Sequence, residues 1–433
     1  MGNRKGRDMS ERLLVISADC HAGAPLYGYR EYLPRHWHRE FDAWATSFSD
    51  PWVEVEERDL KFGVSSFDSR ISWDSAYRQK VLEADGIVGE VLFPNTAPPF
   101  FPSGVLSVAV PQTLPEYERR MAGIRAHNTW LAEFCHDLPG RRVGVAQLFL
   151  NNIDDTLAEV ERIRGLGLGS VLLPADTPGG LVPLYQPRLE PLWELCEDLG
   201  VVVHKHANFA GDPNTDEFGI GAGAIGKIEG MTWNRRGLAH LIMAGVFERY
   251  PNLKFVMTET MAEWVPDYLA VCDRLYEAAK VPGSSEEFFG GPAVTRLPKR
   301  PSEYFAMNCW IGASFMTAAE SARRYEIGLD RLMWGSDLPH SEGTYPHTLE
   351  ALRVVFASVP LEETKLILSE TPAAVYGFDL GTLQKLADEI GPLVDDIQTP
   401  LAPEDWPKVP GESLCSTFAA APLPGLHAPT SQR

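Results

Sequence analysis

Three things are scarce in this chain of 433 residues. Long apolar runs are the first. No stretch approaches the roughly 18 apolar residues that a membrane-crossing helix needs, so no such helix is expected. Positive charge is the second. Lys and Arg number 39 against 59 Asp and Glu, a formal net charge of −20. A surface that acidic repels both nucleic acid and anionic lipid, and neither is an expected partner. Paired cysteines are the third. Cys20, Cys135, Cys196, Cys272, Cys309 and Cys415 are scattered, with no C-x-x-C spacing. That pattern suits reduced thiols better than a disulfide framework. The opening "MGNRKGRDMSERLL" is charged and lacks the apolar stretch of a secretory leader. Together these features lead us to expect a cytoplasmic protein whose residues 1–11 form a flexible arm.

What the chain does have is 44% hydrophobic residues, arranged in short apolar runs separated by amphipathic stretches. Strands are expected at Leu13–Ala18, Gly89–Phe93, Val143–Leu148, Ser170–Leu173, Val201–His206, Lys254–Thr258, Phe305–Trp310 and Leu332–Gly335. Helical periodicity lies between them, as over Leu114–Cys135, Ile153–Leu166, Leu189–Leu199 and Arg235–Arg249. Eight strands alternating with helices point to an α/β fold, a parallel (β/α)8 barrel over residues 12–380. Periodicity fades after Leu380, and the Pro-rich residues 381–433 read as a wrapping or disordered tail. Three long loops, Tyr27–Asp74, Asn95–Gln112 and Ala207–Thr232, leave C-terminal strand ends, the face on which such barrels build their sites. Their aromatic and apolar content suggests a covered, greasy pocket for a hydrophobic small molecule.

Four strands end on residue types that bind metals. Strand one runs "LLVISADCH" and delivers Asp19 and His21; strand five runs "VVVHKH" and delivers His204 and His206. Strand six is followed by Glu259, and strand eight by Asp337 and, past a turn, His340. Residues i and i+2 of a strand share a face, so each pair points one way. If the barrel closes, these faces converge on its mouth. Imidazole together with carboxylate suits zinc, iron or manganese. Any one of these residues has a blander explanation, as a helix cap, an ion pair or a core histidine. Their occurrence at the same end of four strands does not. Arg78, which precedes "LEADG" on a helix, has the charge to bind a substrate carboxylate, and Trp73, Asn95 and Trp264 are further candidates for the pocket wall.

The pieces "ISADCHAG", "LEADGIVGEVLFPN", "HNTWLAEFC", "LGVVVHKH", "AGVFERYPNLKFVM", "MWGSDLPH" and "PAAVYGFD" occur in an order that resembles the amidohydrolase superfamily, in its branch of aminocarboxymuconate-semialdehyde-type decarboxylases. The resemblance implies that Asp19, His21, His206 and Asp337 are metal ligands, and that the protein is a homodimer. Two departures stand out. Decarboxylases of that branch carry a catalytic His after strand six, where this chain has Glu259. Binuclear hydrolases of the superfamily bridge their metals with a strand-four Lys, where this chain reads "GSVLLPAD".

Seven donor candidates exceed what one zinc requires. Their carboxylate-rich set also resembles the non-haem diiron monooxygenase offshoot of this fold found in platensimycin and platencin biosynthesis. The favoured expectation is therefore an O₂-dependent hydroxylase with two irons held by Asp19, His21, His204, His206, Glu259 and Asp337, with Asp337, Glu259 and His340 as catalytic groups. The alternative is a mononuclear Zn or Mn hydrolase or non-oxidative decarboxylase, with Asp337 as base. A barrel that only binds a ligand is a third reading, made less favourable by the joint presence of Asp19, His21, His206 and Asp337.

Overall fold

The computed structural model describes residues 11–48, 70–95, 98–101, 110–175, 182–207, 222–409 and 412–419. Residues 1–10 of the expected arm, 420–433 of the expected tail, and parts of all three long loops lie outside them.

Eight strands pair in sequence order, each parallel to the next: β1 (Ile16–Ala22), β2 (Gly89–Pro94), β3 (Arg142–Gln147), β4 (Ser170–Leu172), β5 (Val202–His206), β6 (Phe255–Thr258), β7 (Cys309–Ser314) and β8 (Leu332–Gly335). Two backbone hydrogen bonds close the circle past the end of β8. Asp337 N–H donates to Asp19 O at 2.8 Å, and His21 N–H donates to Leu338 O at 2.7 Å. The approach is close because Gly335 has no side chain; a Cβ there would sit 2.6 Å from the Asp19 Cβ. The architecture is the (β/α)8 barrel that the alternation of apolar runs and amphipathic stretches implied.

Helices clothe the barrel. The main ones are α1 (Ser75–Ala84), α2 (Leu114–His136), α3 (Ile153–Gly165), α4 (Glu190–Asp198), α5 (Ala222–Met243), α6 (Val265–Ala278), α7 (Pro301–Asn308), α8 (Thr348–Phe356), α9 (Thr371–Tyr376) and α10 (Leu380–Ile390). Side chains facing outward from the strands, such as Val203, Phe255, Met257, Ile311 and Trp334, pack under these helices in the main core. Side chains facing inward, such as Val202, Val256 and Met333, meet Val375 and Tyr376 of α9 inside the barrel.

Four boundaries differ from expectation. Strand β1 runs on through Asp19 and His21 rather than stopping at Ala18, because these polar side chains face the barrel interior and the backbone ladder continues beneath them. Residues expected to begin β7 form α7 instead, and the strand starts only at Cys309. Pro301 suits the first turn of a helix, and the Glu303 side chain accepts the Arg300 backbone N–H at 2.7 Å; both stabilise the helix start. Helix α5 begins at Ala222, inside the expected third loop. Periodicity also continues beyond Leu380. Asp379 caps α10 by accepting Thr382 N–H, and Leu383 and Ala387 bury against Leu14, Ile16 and Val88 at the lower end of the barrel. The last described segment returns to the upper end, where Thr417 Oγ1 donates to the backbone oxygen of Phe315 or Met316, at 2.8 and 3.0 Å.

Candidate metal centre and adjoining cleft

The ends of β1, β5 and β6 bring one donor atom each from Asp19, His21, His206 and Glu259 within 4.8 Å of one another. His21, Asp337 and His340 form an overlapping group, as do Glu259, Asp337 and Glu342. Asp19, His21, His206 and Asp337 are almost completely buried. The arrangement depends on strand geometry, since Asp19/His21 and the end of β5 place alternate side chains on the inner face.

Backbone carbonyls orient both imidazoles. His21 Nδ1 lies 3.0 Å from Pro94 O, and His206 Nδ1 lies 2.7 Å from Ala207 O. Each contact assigns a ring proton to Nδ1 and turns Nε2 inward, as metal-binding histidines are held. Asp19 Oδ1 stands 3.4 Å from both Nε2 atoms, while its other oxygen accepts the Ser314 hydroxyl. Asp337 Oδ1 lies 3.2 Å from His21 Nε2 and 3.0 Å from His340 Nδ1. Even so, His21 Nε2 and both Asp337 oxygens are buried with no hydrogen-bond partner among the described residues. Buried polar atoms left in that state cost free energy, and a divalent cation among them would remove the cost. The donor set fits such an ion. Backbone strain is concentrated at the same rim: Glu259 (φ 56°), Met261 (φ 57°), Phe315 (φ 38°) and Asp337 (φ 61°) all adopt left-handed conformations.

Electrostatics divide the histidines. Burial alone would push His206 down, but Asp19 and Glu259 beside it hold it up at about 9. His340 is likewise raised to about 10, Asp337 outweighing burial. Burial and the neighbouring His340 push His21 well down. The Glu259 carboxyl is raised to about 8 by burial and by Asp337, with His206 opposing.

Not every expected site residue belongs to this cluster. His204 faces inward but one layer deeper, stacked on Tyr376 with ring centroids 5.7 Å apart and planes 8° from parallel. Neither of its ring nitrogens has a described hydrogen-bond partner, and burial lowers it to about 3. It is no member of the donor groups, so the expectation that it binds metal is corrected: sharing a face with His206 does not put it at the same height. Arg78 is not a substrate-binding residue either. Its guanidinium is buried outside the barrel wall and pairs with Glu90 at 2.7 Å. It also donates to His21 O at 2.8 Å and Ile71 O at 2.9 Å. Arg142 shares the same carboxylate at 2.9 Å. Asn95 meets His340 instead of open space: its Oδ1 lies 3.0 Å from His340 Nε2, and its amide donates to Ser72 Oγ at 2.8 Å. Trp73 is half-buried on the core. Trp264 donates to Met261 O at 2.8 Å, with the Arg235 guanidinium 4.8 Å over its ring.

A small cleft opens beside His206, lined among others by Phe101, Arg120, Ile124, Gln147 and Phe149. Sequence reasoning missed Arg120, Gln147 and Glu342. Gln147 carries the same signal as the metal donors, a polar residue ending an apolar strand ("RVGVAQ"). Arg120 and Glu342 have no local signal.

Known proteins resemble this chain in sequence and in fold. The chain is 30% identical over 252 residues to a γ-resorcylate decarboxylase of Rhodococcus jostii (strain RHA1), an alignment covering 54% of this chain and 72% of that one. Its fold matches a 5-carboxyvanillate decarboxylase from Sphingomonas paucimobilis, with a TM-score of 0.59, 20% identity, and coverage of 85% and 100% of the two chains. It also matches a dihydroxybenzoic acid decarboxylase from Polaromonas sp. JS666, with a TM-score of 0.57, 18% identity, and coverage of 84% and 97%. That structure contains manganese and the inhibitor 2-nitroresorcinol. These relatives overturn the expectation of an O₂-dependent diiron hydroxylase. The surplus of donors that argued for two irons also shrinks once His204 is placed beneath the rim. Among the described residues no helix is long and apolar enough to cross a membrane. An amidohydrolase family model matches residues 19–378, from the first donor at the mouth to the segment that plugs the barrel from below, and the chain belongs to that family.

Proposed function

We propose that this protein is a metal-dependent, non-oxidative decarboxylase of a small aromatic carboxylic acid. The observation that carries the reading is a buried pair of overlapping donor groups, Asp19, His21, His206 and Glu259 in one and His21, Asp337 and His340 in the other, which suits a divalent ion. The relatives supply the reaction class, since the R. jostii protein and both solved structures are named decarboxylases of hydroxylated benzoates. Manganese in the Polaromonas structure supports Mn²⁺ as the ion.

In this reading a bound divalent ion supplies positive charge that draws in the substrate carboxylate and offsets negative charge as CO₂ departs. The chain's own residues do the rest. Asp19, His21, His206 and Asp337 would hold the ion, with Pro94 O, Ala207 O and Ser314 keeping the ligands aimed. The C–CO₂⁻ bond breaks, its electron pair stays on the ring carbon, and that carbon takes a proton, giving the arene and CO₂. Glu259 is placed to deliver the proton. Only its side chain among these carboxylates is partly exposed, at 16%. Burial and the neighbouring Asp337 raise its carboxyl in the metal-free site, which favours the protonated form an acid needs. In place of a histidine after β6, this reading uses the Glu259 carboxyl as the acid.

The test is anaerobic incubation of Mn²⁺-loaded protein with 2,6-dihydroxybenzoate and related acids, following CO₂ and the arene. Stoichiometric CO₂ and resorcinol, without O₂ uptake, are expected. Release of no CO₂ from any hydroxylated benzoate overturns the reading.

A further inference from the structure

We infer that the cleft beside His206 is the subsite for the far side of the substrate ring, and that it selects a ring carrying a second oxygen. The assignment rests on the decarboxylase reading for the position of the carboxylate at the metal. The cleft's own affinity does not depend on it.

Two features of the cleft point to a flat ring. Phe101 and Phe149 are nearly parallel and stacked, with centroids 5.8 Å apart and planes at 7°. Both are almost buried, and they form a wall beside Ile124. Such a surface accepts an aromatic ring by offset stacking or edge contact.

Two further features point to oxygen on that ring. Arg120 is only 1% exposed, and its guanidinium carbon lies 4.3 Å from the Phe101 centroid and 5.2 Å from that of Phe149. Glu116 pairs with it at 3.1 Å, so the charge is held in place from the helix side, while the planar group remains part of the cleft lining. In a protein of net charge −20 this puts positive charge where an anionic or hydroxylated ligand enters. Gln147 is the independent second observation. It is 7% exposed, and its side-chain Nε2 has no hydrogen-bond partner among the described residues. The residue is fixed because Asn128 clamps its backbone on both sides: Gln147 N–H donates to Asn128 Oδ1 at 2.9 Å, and Asn128 Nδ2 donates to Gln147 O at 3.0 Å. A buried amide donor, immobilised at the strand end and lacking an acceptor, is poised to receive one from a ligand. Binding a ring oxygen there also discriminates, since a ring without it would leave the donor unpaired.

The experiment compares two non-reacting rings on Mn²⁺-loaded protein by calorimetry: 2-nitroresorcinol, and nitrobenzene, which lacks both hydroxyls. The wild type is expected to bind 2-nitroresorcinol more tightly. Gln147→Leu should weaken that binding about tenfold and Arg120→Met about thirtyfold, with nitrobenzene affinity nearly unchanged. Arg120→Lys retains charge but not the planar fork, and should fall between the two should Arg120→Met fail to fold. Metal content and thermal midpoint are measured on every variant. A purely structural role would weaken both ligands alike, so an unaltered ratio of the two affinities in the variants overturns the subsite. So does a wild type that binds neither ring. If 2-nitroresorcinol binds as stated but 2,6-dihydroxybenzoate yields no CO₂, the reaction assignment fails and the subsite stands.

Discussion

Two clusters of buried charge sit within the same barrel wall, and they are built on opposite terms. Outside β2 and β3, Glu90 accepts from Arg78 and Arg142, and every nitrogen of Arg78 finds an oxygen. At the mouth, Asp337 Oδ1 has only the His21 and His340 rings beside it, at 3.2 and 3.0 Å, and Asp337 Oδ2 has no hydrogen-bond partner among the described residues. In the first cluster the carboxylate meets two guanidinium groups, and only Arg142 Nη2 lacks a partner among the described residues. The second is complete only with a cation, and it is ringed by left-handed backbone at Glu259, Phe315 and Asp337, where stability is given up for geometry. Charge, burial and proximity are common to both. Satisfaction of the polar atoms separates structural framework from functional site.

That contrast is most open to attack at the reaction itself. Asp337→Asn should lower decarboxylation at least about a thousandfold, since the ion's charge stabilisation amounts to several kcal/mol. Metal content after chelation and reloading should fall with it. Glu90→Gln, in the fraction that folds, should keep the wild-type metal stoichiometry. An Asp337→Asn protein that retains both metal and rate would show that the mouth is not the centre.

The next largest effect reverses the order of the two clusters. Glu90→Gln leaves two guanidinium groups buried without their anion and should cost about 3–5 kcal/mol in urea unfolding. Asp337→Asn in metal-free protein should cost less than that, because loss of the contact with His340 is offset by relief of its repulsion with Glu259. Equal losses in the two variants would mean that both clusters are structural. A smaller change is expected at the proposed acid: Glu259→Gln should lower turnover by about a hundredfold or more while leaving metal content near wild type. Loss of the metal in that variant would make Glu259 a ligand rather than the proton donor.

The same distinction separates what is legible in the amino-acid sequence from what is not. The barrel is legible because strand spacing and helix periodicity are local, and so are Asp19, His21 and His206, as polar residues on strands otherwise built for a core. The start of β7 is not, since "FAMNCW" is apolar enough for either strand or helix and the outcome depends on Pro301 and Glu303 upstream. Arg78 is open to misreading because its partner Glu90 lies on another element, and only the packed fold reveals that its hydrogen bonds are all internal. The cleft residue Arg120 is invisible for a related reason. A helix arginine is ordinarily solvated, and nothing in "YERRMAG" marks the one that turns inward.

The finest form of the comparison lies within one strand, at His204 and His206. They are two residues apart on one face, yet burial with no compensating anion holds His204 at about 3, while Asp19 and Glu259 lift His206 to about 9. The two should therefore tilt stability in opposite directions with pH. For His204 the folded value lies below the unfolded one, near 6.5, so at pH below 6.5 the unfolded chain takes up a proton that the fold refuses. Its presence lowers stability progressively from pH 6.5 towards 3. For His206 in metal-free protein the folded value is the higher one, so its stabilisation is present below 6.5 and lost as pH rises through 9. His204→Phe should flatten the acid limb. The stability difference between pH 8 and pH 5 should shrink by about 2 kcal/mol, 1.5 pH units at ~1.4 kcal/mol each, measured by urea unfolding at both values. An unchanged difference would mean that His204 gains its proton inside the fold, and the layer beneath the rim would then be as polar as the rim itself.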